Sequence, residues 1–175
     1  MRQRHASQDA RRAREFQAFV AGAAGRLLHA ATLLTAEPPD ANPRARRLLT
    51  HALAHTYACW DRLRGEDPYD RARQQLAVRF ARGAWHEHGL ARVAWISRYG
   101  GRPAGTEPGG VLARLTPQER LVLVLRLYEG VAEEQTAALL ALPVERVRAI
   151  CTRAMTTLLH PPRGAAAVVP KVAPS

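Results

Sequence analysis

The side chains best suited to chemistry lie on one predicted helix near the carboxyl-terminal end of the chain. From Val144 to Leu158 apolar residues recur at helical spacing, and the positions between them face outward. Arginine on such a face can pair with a phosphate, or can fork onto the O6 and N7 atoms of guanine. The pattern predicts a helix that enters a DNA major groove; the alternative is a three-helix bundle with a solvated basic face. The outward residues are Glu145, Arg146, Arg148, Ala149, Thr152 and Arg153.

Three helical patterns with tight breaks would position this face. Thr116 and Glu119 have the spacing of a capping box, with Pro117 at the first helical position. Gly130 is expected to end the first helix. Residues 141–143, Ala-Leu-Pro, form the turn between the last two helices, and Pro143 fits a first helical position. The spacing is that of a helix-turn-helix, with these residues expected to face inward: Thr136, Ala137, Leu140, Val144, Val147, Ile150, Cys151, Ala154 and Leu158.

The amino-terminal half also has helical periodicity. We predict helices over roughly residues 7–34 and 44–63, and a third that starts after Asp67, with Asp67 as its cap and Pro68 at its first position. A further short helix is expected to hold Val93, Trp95 and Ile96. There is no strand-like alternation of polar and apolar residues. The predicted fold class is therefore all-α.

Breaks in composition divide the chain. Residues 97–110 are rich in glycine and proline and lack apolar periodicity, which predicts a flexible linker. It separates a helical bundle over residues 1–96 from the helix-turn-helix unit over residues 111–160. Residues 161–175 are expected to form a disordered tail. The predicted architecture is two small helical domains joined by the linker.

Charge and composition limit the partners. The net charge is +11, and all but one of the 26 basic residues are arginine. Residues 1–95 carry 16 arginines and nine acidic residues, whereas residues 108–160 carry six arginines and five acidic residues. This imbalance favours a polyanion such as DNA, or an acidic protein surface. Two cysteines do not form a disulfide framework, and we expect no membrane span and no signal peptide, hence a cytoplasmic protein.

No arrangement of residues predicts an enzyme. His51 and His55 have the spacing of a zinc-binding pair, with Cys59 one turn further, but no second ligand pair of recognisable spacing exists. A solvated basic face is the favoured interpretation, with no metal and no cofactor. His86 and His88 alternate in direction and form no site by themselves. No nucleophile–base pair and no phosphate-binding loop are indicated.

Five segments, taken together, resemble a known family. They are REFQAFV (14–20), LLHAATLLT (27–35), ALAHTYACWDRL (52–63), LTPQERLVLVLRLYEG (115–130) and TAALLALPVERV (136–147). Their order and spacing resemble two-domain extracytoplasmic-function sigma factors of the sigma-70 superfamily, in particular the SigE-like actinobacterial branch. The resemblance implies a sigma region 2-like bundle, a region 4-like helix-turn-helix, and a non-catalytic subunit that directs RNA polymerase core to promoters.

The resemblance also implies roles for individual residues. Those matching the helix that reads the −35 element are Arg146, Arg148, Thr152 and Arg153. Those matching the contact with the −10 element are Arg79, Arg82, Trp85 and His86. An aromatic ring beside arginines can stack an unpaired base, and the alternative for Trp85 is a core tryptophan.

The chain departs from the family at the helix that docks on polymerase. An acidic run usually opens that helix, and here Arg44, Arg46, Arg47 and His51 take its place. His55 lies one turn further on the same helix, and these five residues form the predicted partner face. Like charges brought together at an interface cost several kcal/mol, which argues against docking in the ordinary mode. In the helix-turn-helix, Ala141 replaces the usual turn glycine, and Leu142 or Pro143 replaces the usual serine cap. In the amino-terminal half, Arg79 stands where the family often has asparagine.

Three functions stay open at this point. The first is a sigma-factor-like regulator of transcription initiation that binds promoter DNA and RNA polymerase. The second is a degenerate sigma-like interaction protein, an antagonist or co-regulator that binds an acidic partner such as an anti-sigma factor. The third is a helix-turn-helix DNA binder that acts without polymerase.

Overall fold

The computed structural model describes residues 2–63, 65–96 and 110–160, with side chains given for residues 6–63, 65–84 and 110–160. These residues form helices and turns without a strand, which confirms the all-α class. The side chains of Trp85 and His86, the linker up to residue 109 and the tail lie outside the described residues. The α-helices are α1 (Arg2–Thr35), α2 (Pro43–Ala58), α3 (Pro68–Ile96), α4 (Pro117–Leu123), α5 (Glu133–Leu140) and α6 (Val144–Leu159).

Helices α1, α2 and α3 pack into a bundle through small and branched apolar side chains. Leu27, Ala31 and Leu34 of α1 are almost completely buried, as is Ala52 of α2. At the far end of α1 an aromatic cluster closes the bundle, with Phe16 4.8 Å from the ring of Tyr57 and 5.2 Å from that of Trp60. This bundle forms a scaffold that carries the predicted −10 and polymerase-facing residues.

Three helix boundaries differ from the sequence-based prediction. Helix α1 begins at Arg2, where a start near residue 7 was expected. Helix α2 ends at Ala58 and is followed by a 3-10 turn, Trp60–Arg62, where one continuous helix was expected. Helix α3 continues to Ile96, so the separate short helix expected around Val93 was wrong. The start of α3 is as predicted, because the backbone N–H of Tyr69 donates to Asp67 Oδ1 at 2.9 Å.

The start of α4 confirms the predicted capping box. The backbone N–H of Glu119 donates to Thr116 Oγ1 at 3.3 Å, and the backbone N–H of Thr116 donates to Glu119 Oε2 at 2.9 Å. A π-helical turn, Val124–Tyr128, prolongs α4, which periodicity alone did not indicate. Gly130, with a φ of 69°, ends this segment as expected.

The carboxyl-terminal helices pack directly on the amino-terminal bundle. One buried cluster contains Leu34 and Phe80 from the bundle together with Leu121, Leu125 and Ile150 from the helix-turn-helix. The division into domains at residues 96 and 111 stays a prediction, since all of the linker except Gly110 lies outside the described residues.

A buried carboxylate joins the two parts of the chain. The side chain of Glu129 is 1% exposed and accepts hydrogen bonds from the hydroxyl of Tyr69 at 3.0 Å to each oxygen. Guanidinium nitrogens of Arg26 and Arg73 lie 3.5 and 3.9 Å from Glu129 Oε2. Burial and the adjacent carboxylate raise the pKa of Tyr69, which favours the neutral hydroxyl that donates these bonds. We call these four residues the Glu129 clasp.

Candidate nucleic-acid interface

Helix α6 presents its outer face as the sequence predicts. Val147, Ile150 and Ala154 are fully buried against α4 and α5, which fixes the rotation of α6 about its axis. The opposite side is open to solvent. All six predicted DNA-reading residues are exposed: Glu145, Arg146, Arg148, Ala149, Thr152 and Arg153.

The turn before α6 depends on one strained residue. Ala141 ends α5 in the left-handed region with a φ of 53°, a conformation that favours glycine. Pro143 is the N-cap of α6, one residue before its first helical position, so the prediction that Pro143 is the first helical residue was wrong. It makes no side-chain cap hydrogen bond, in keeping with the missing serine. Tertiary packing, rather than a local cap, therefore stabilises this turn.

Arg148 is held by two carboxylates. Its guanidinium donates to Glu145 Oε2 at 2.8 Å and to Glu133 Oε2 at 3.0 Å. These bonds, with that to Glu133 contributing most, raise the pKa of Arg148. The pairing links the first turn of α6 to the first turn of α5 and holds the guanidinium near the protein surface. A base or phosphate contact by Arg148 would require exchange of these exposed partners.

Arg153 bonds to the capping box of α4. Its Nε donates to Glu119 Oε1 at 2.7 Å, while the other oxygen of Glu119 accepts from Thr116. Burial alone would raise the pKa of Glu119, but the hydrogen bonds from Arg153 and Thr116 lower it overall. The prediction that Arg153 faces outward holds, yet the residue also ties α6 to α4. Sequence spacing gave no sign of this contact across 34 positions.

Arg146 differs from the other two arginines of this face. Within the described part of the chain, no carboxylate pairs with its guanidinium, and its side chain is exposed. Thr152, six positions further along α6, is likewise exposed. Arg146 is thus the arginine of α6 that meets solvent without a described ion pair.

The predicted −10 residues are only partly described. Arg79 and Arg82 are exposed on α3, in agreement with a surface role. Trp85 and His86 continue the same helix, but their side chains lie outside the described residues. The structure places Arg79 beside a cleft that Arg44 and Arg120 also line. Arg120 was missed by the sequence analysis, because its proximity to Arg79 depends on the packing of α4 against the bundle.

The predicted partner face lies on α2. Its five basic residues, Arg44, Arg46, Arg47, His51 and His55, are all exposed. Glu37, just before α2, accepts hydrogen bonds from the backbone N–H groups of Arg44 at 3.0 Å and Ala45 at 2.8 Å. Burial opposes its ionisation, but these bonds and the Arg44 charge give Glu37 a lowered pKa. A single carboxylate therefore caps the helix whose exposed face is otherwise basic.

The histidines of α2 do not form a metal cluster with other described residues. Cys59 Sγ lies 4.0 Å from His55 Nδ1, both near the surface. Among the described side chains, no group of three or more histidine, cysteine, aspartate or glutamate residues could hold a metal ion. His86 and His88 lie outside that set.

The helix-turn-helix is similar to a domain of a known protein family. Residues 111–160 match the family model described as Sigma-70, region 4. That range covers the capping box, the clasp glutamate and the whole helix-turn-helix. The exposed face of α6 therefore lies within the part of the chain that matches sigma region 4.

Two curated relatives then extend the likeness to most of the chain. It is 29% identical over 153 residues to the RNA polymerase sigma-E factor of Streptomyces coelicolor, which covers 82% of this chain and 84% of the relative. It is 26% identical over 155 residues to the RNA polymerase sigma-E factor of Streptomyces avermitilis, with 82% and 83% covered. No solved structure matches the chain. These findings support a sigma-70 family protein of the extracytoplasmic-function group, similar to Streptomyces sigma-E factors.

Helix α1 is the one described segment with the dimensions of a membrane span. Ala6–Thr35 is long and apolar enough by length and composition, a test that a core helix of a soluble protein also passes. Its Leu27, Ala31 and Leu34 are packed against protein. The segment is weak evidence for a span, and no membrane-protein family is indicated.

Proposed function

We propose that this protein is a sigma-factor-like regulator of transcription initiation, which binds promoter DNA and RNA polymerase core. The observation that carries the proposal is the match of residues 111–160 to sigma region 4, over a helix-turn-helix whose final helix exposes three arginines. The sigma-E relatives support the same function. The activity is binding, not catalysis, and its place is the cytoplasm.

The two parts of the chain divide the task in this proposal. Residues 1–96 act as the unit that contacts polymerase and the −10 element, through Arg79, Arg82, Trp85 and His86. Residues 111–160 read the −35 element, and residues 97–110 connect them. Arg146 is the first candidate for a base contact, because DNA can reach it without displacing a described carboxylate. Arg148 and Arg153 act after exchanging their partners.

The experiment that tests polymerase binding is capture of purified Streptomyces coelicolor core RNA polymerase by the tagged full chain. It is performed at about 0.15 M salt and again at higher salt, because exposed charges are screened as salt rises. Capture that survives higher salt, followed by run-off transcription from a selected promoter, supports the proposal. A protein that captures no polymerase at either salt concentration is not a sigma factor of the ordinary kind.

The DNA-reading role is tested with duplexes selected by the polymerase-bound protein. Arg146→Ala should weaken binding to the selected −35-like sequence by about 1–3 kcal/mol if the side chain forks onto guanine. Equal weakening on an unrelated duplex assigns Arg146 to a phosphate. Arg114→Ala, which removes an exposed arginine outside α6, is the matched control. Unchanged binding by Arg146→Ala and Arg148→Ala would remove α6 from DNA reading.

A second function is favoured by the exposed basic face of α2. In this alternative the protein binds an acidic partner, such as an anti-sigma factor, as an antagonist or co-regulator. Reversal of Arg44, Arg46 and Arg47 to glutamate distinguishes the two. If polymerase capture appears or strengthens only after reversal, the native face serves the acidic partner. If reversal leaves capture unchanged, the α2 face does not decide docking.

A further inference from the structure

A cleft opens where the start of α4 meets the amino-terminal bundle. Its volume is about 160 Å³, and three arginines from three helices line it: Arg44 of α2, Arg79 of α3 and Arg120 of α4. Part of the wall is apolar and includes Phe80 and Pro117. One water molecule needs only roughly 10–15 Å³ by this kind of measure, so the cleft has room for a small ligand.

The positive charge of Arg120 is poorly compensated by the described residues around it. Arg120 is half-buried, its Nε is buried without a hydrogen-bond partner, and its Nη1 reaches the carbonyl of Leu112 only at 3.5 Å. Burial lowers the pKa of Arg120, and the positive charge of Arg44 lowers it further. No described carboxylate forms an ion pair with Arg79 or Arg120. A partly desolvated cation without an anion beside it is unfavourable, so an anion from solution would be stabilised here.

We propose that this cleft binds a phosphate-bearing small molecule, with the phosphate between Arg79 and Arg120 and the body of the ligand against Phe80 and Pro117. Guanidinium groups bind phosphate oxygens by paired, charge-assisted hydrogen bonds, and the side chains of Arg79 and Arg120 both line this cleft.

The shape of the cleft favours a free ligand over a nucleic-acid backbone. A site for single-stranded DNA follows several phosphates along a groove, whereas this space is a single concavity between packed helices. Because residues of both α3 and α4 line it, a bound ligand would also bridge the two parts of the chain. The site is distinct from the outer face of α6, and it shares Arg79 with the −10 contact of the proposed function.

The test is titration of the full chain with inorganic pyrophosphate by isothermal calorimetry, without DNA or polymerase. We expect one saturable site. Arg79→Gln and Arg120→Gln should each weaken binding by about tenfold or more, the loss of one charge-assisted hydrogen bond. Arg114→Gln, an exposed arginine in the turn before α4, should change the affinity less than about twofold, within the range of neutral surface changes.

Three results would overturn the proposal. The first is the absence of saturable binding of pyrophosphate. The second is equal weakening by all three substitutions, which would mean diffuse attraction to a basic surface. The third is binding of an oligothymidylate that depends on Arg79 and Arg120 while pyrophosphate does not bind, which would assign the cleft to nucleic acid. Should Arg120→Gln fail to fold by circular dichroism, Arg79→Gln decides, since its side chain is exposed.

Discussion

The Glu129 clasp predicts a measurable coupling between two residues that lie 60 positions apart. The hydroxyl of Tyr69 donates to both oxygens of a carboxylate that is almost completely buried, so water does not replace the bond when the hydroxyl is removed. A hydrogen bond to a charged group contributes about 1.5–3 kcal/mol. The exposed Arg26 adds little to the pair. We expect Tyr69→Phe to lower the free energy of unfolding by about 1–2 kcal/mol.

A double-mutant cycle isolates this contact. Glu129→Gln alone should lower the free energy of unfolding by about 1–3 kcal/mol, because the Tyr69 hydroxyl loses its charged acceptor, while Arg73 keeps an ion pair with Asp70 at 3.0 Å. The double variant should show a coupling energy of about 1–2 kcal/mol with Tyr69→Phe. Urea unfolding, followed by circular dichroism and tryptophan fluorescence together, measures each corner and tests two-state behaviour.

The matched control is Tyr128→Phe at the same junction. The hydroxyl of Tyr128 reaches the carbonyl of Arg26 only at 3.5 Å, so its loss should change the free energy of unfolding by less than about 0.5 kcal/mol. A coupling between Tyr69 and Glu129 within about 0.3 kcal/mol of zero, with all variants folded, would refute the reasoning. It would mean that the two parts of the chain do not pack in solution as they do here.

Two further predictions concern the helix-turn-helix. Ala141→Gly should raise the free energy of unfolding by about 1 kcal/mol because glycine adopts a positive φ without strain. Ala138→Gly, at an exposed position within α5, should instead lower it by about 0.5–1 kcal/mol. The second concerns acid stability, measured by thermal melting at a series of pH values. Because the pKa of Glu119 is lowered in the folded state, its ionised carboxylate stabilises the fold above the ordinary glutamate pKa. This stabilisation is lost as the pH falls through the lowered pKa of the folded state. Glu119→Gln should therefore be less stable at pH 7 and less sensitive to acid. If the melting temperature of Glu119→Gln depended on pH as that of the unaltered protein does, this prediction would be contradicted.

Features set by neighbouring residues could be predicted from the sequence. The capping box of Thr116 and Glu119, the cap at Asp67 and the stop at Gly130 each depend on contacts within a few positions. The outward face of α6 followed from a clear apolar period. Of the residues predicted to face inward, Val147, Ile150 and Ala154 are buried, and the others are half-buried against the core: Val144, Cys151 and Leu158. These local signals were enough for the all-α class and for the helix-turn-helix.

Features that depend on distant partners could not be predicted. No local pattern shows that Glu129 lies beside Tyr69, or that Glu119 accepts from Arg153, because each contact depends on how separate helices pack. The π-helical turn after α4 is invisible to a search for ordinary helical spacing. The roles of the exposed arginines likewise remain predictions, since exposure alone does not identify a DNA contact.

Ion pairs neutralise part of the positive charge that the arginines of α6 would otherwise present to DNA. Glu119 offsets Arg153, and two carboxylates offset Arg148, so Arg146 alone lacks a carboxylate partner among the described residues of this helix. Because each neutralised phosphate adds to the salt dependence of binding, the isolated chain should bind DNA weakly and with a shallow salt slope. Exposed pairs are worth only about 0–1 kcal/mol and exchange readily, so they hold the guanidinium groups in position without preventing contact. DNA recognition would then depend on polymerase bringing α6 to the groove.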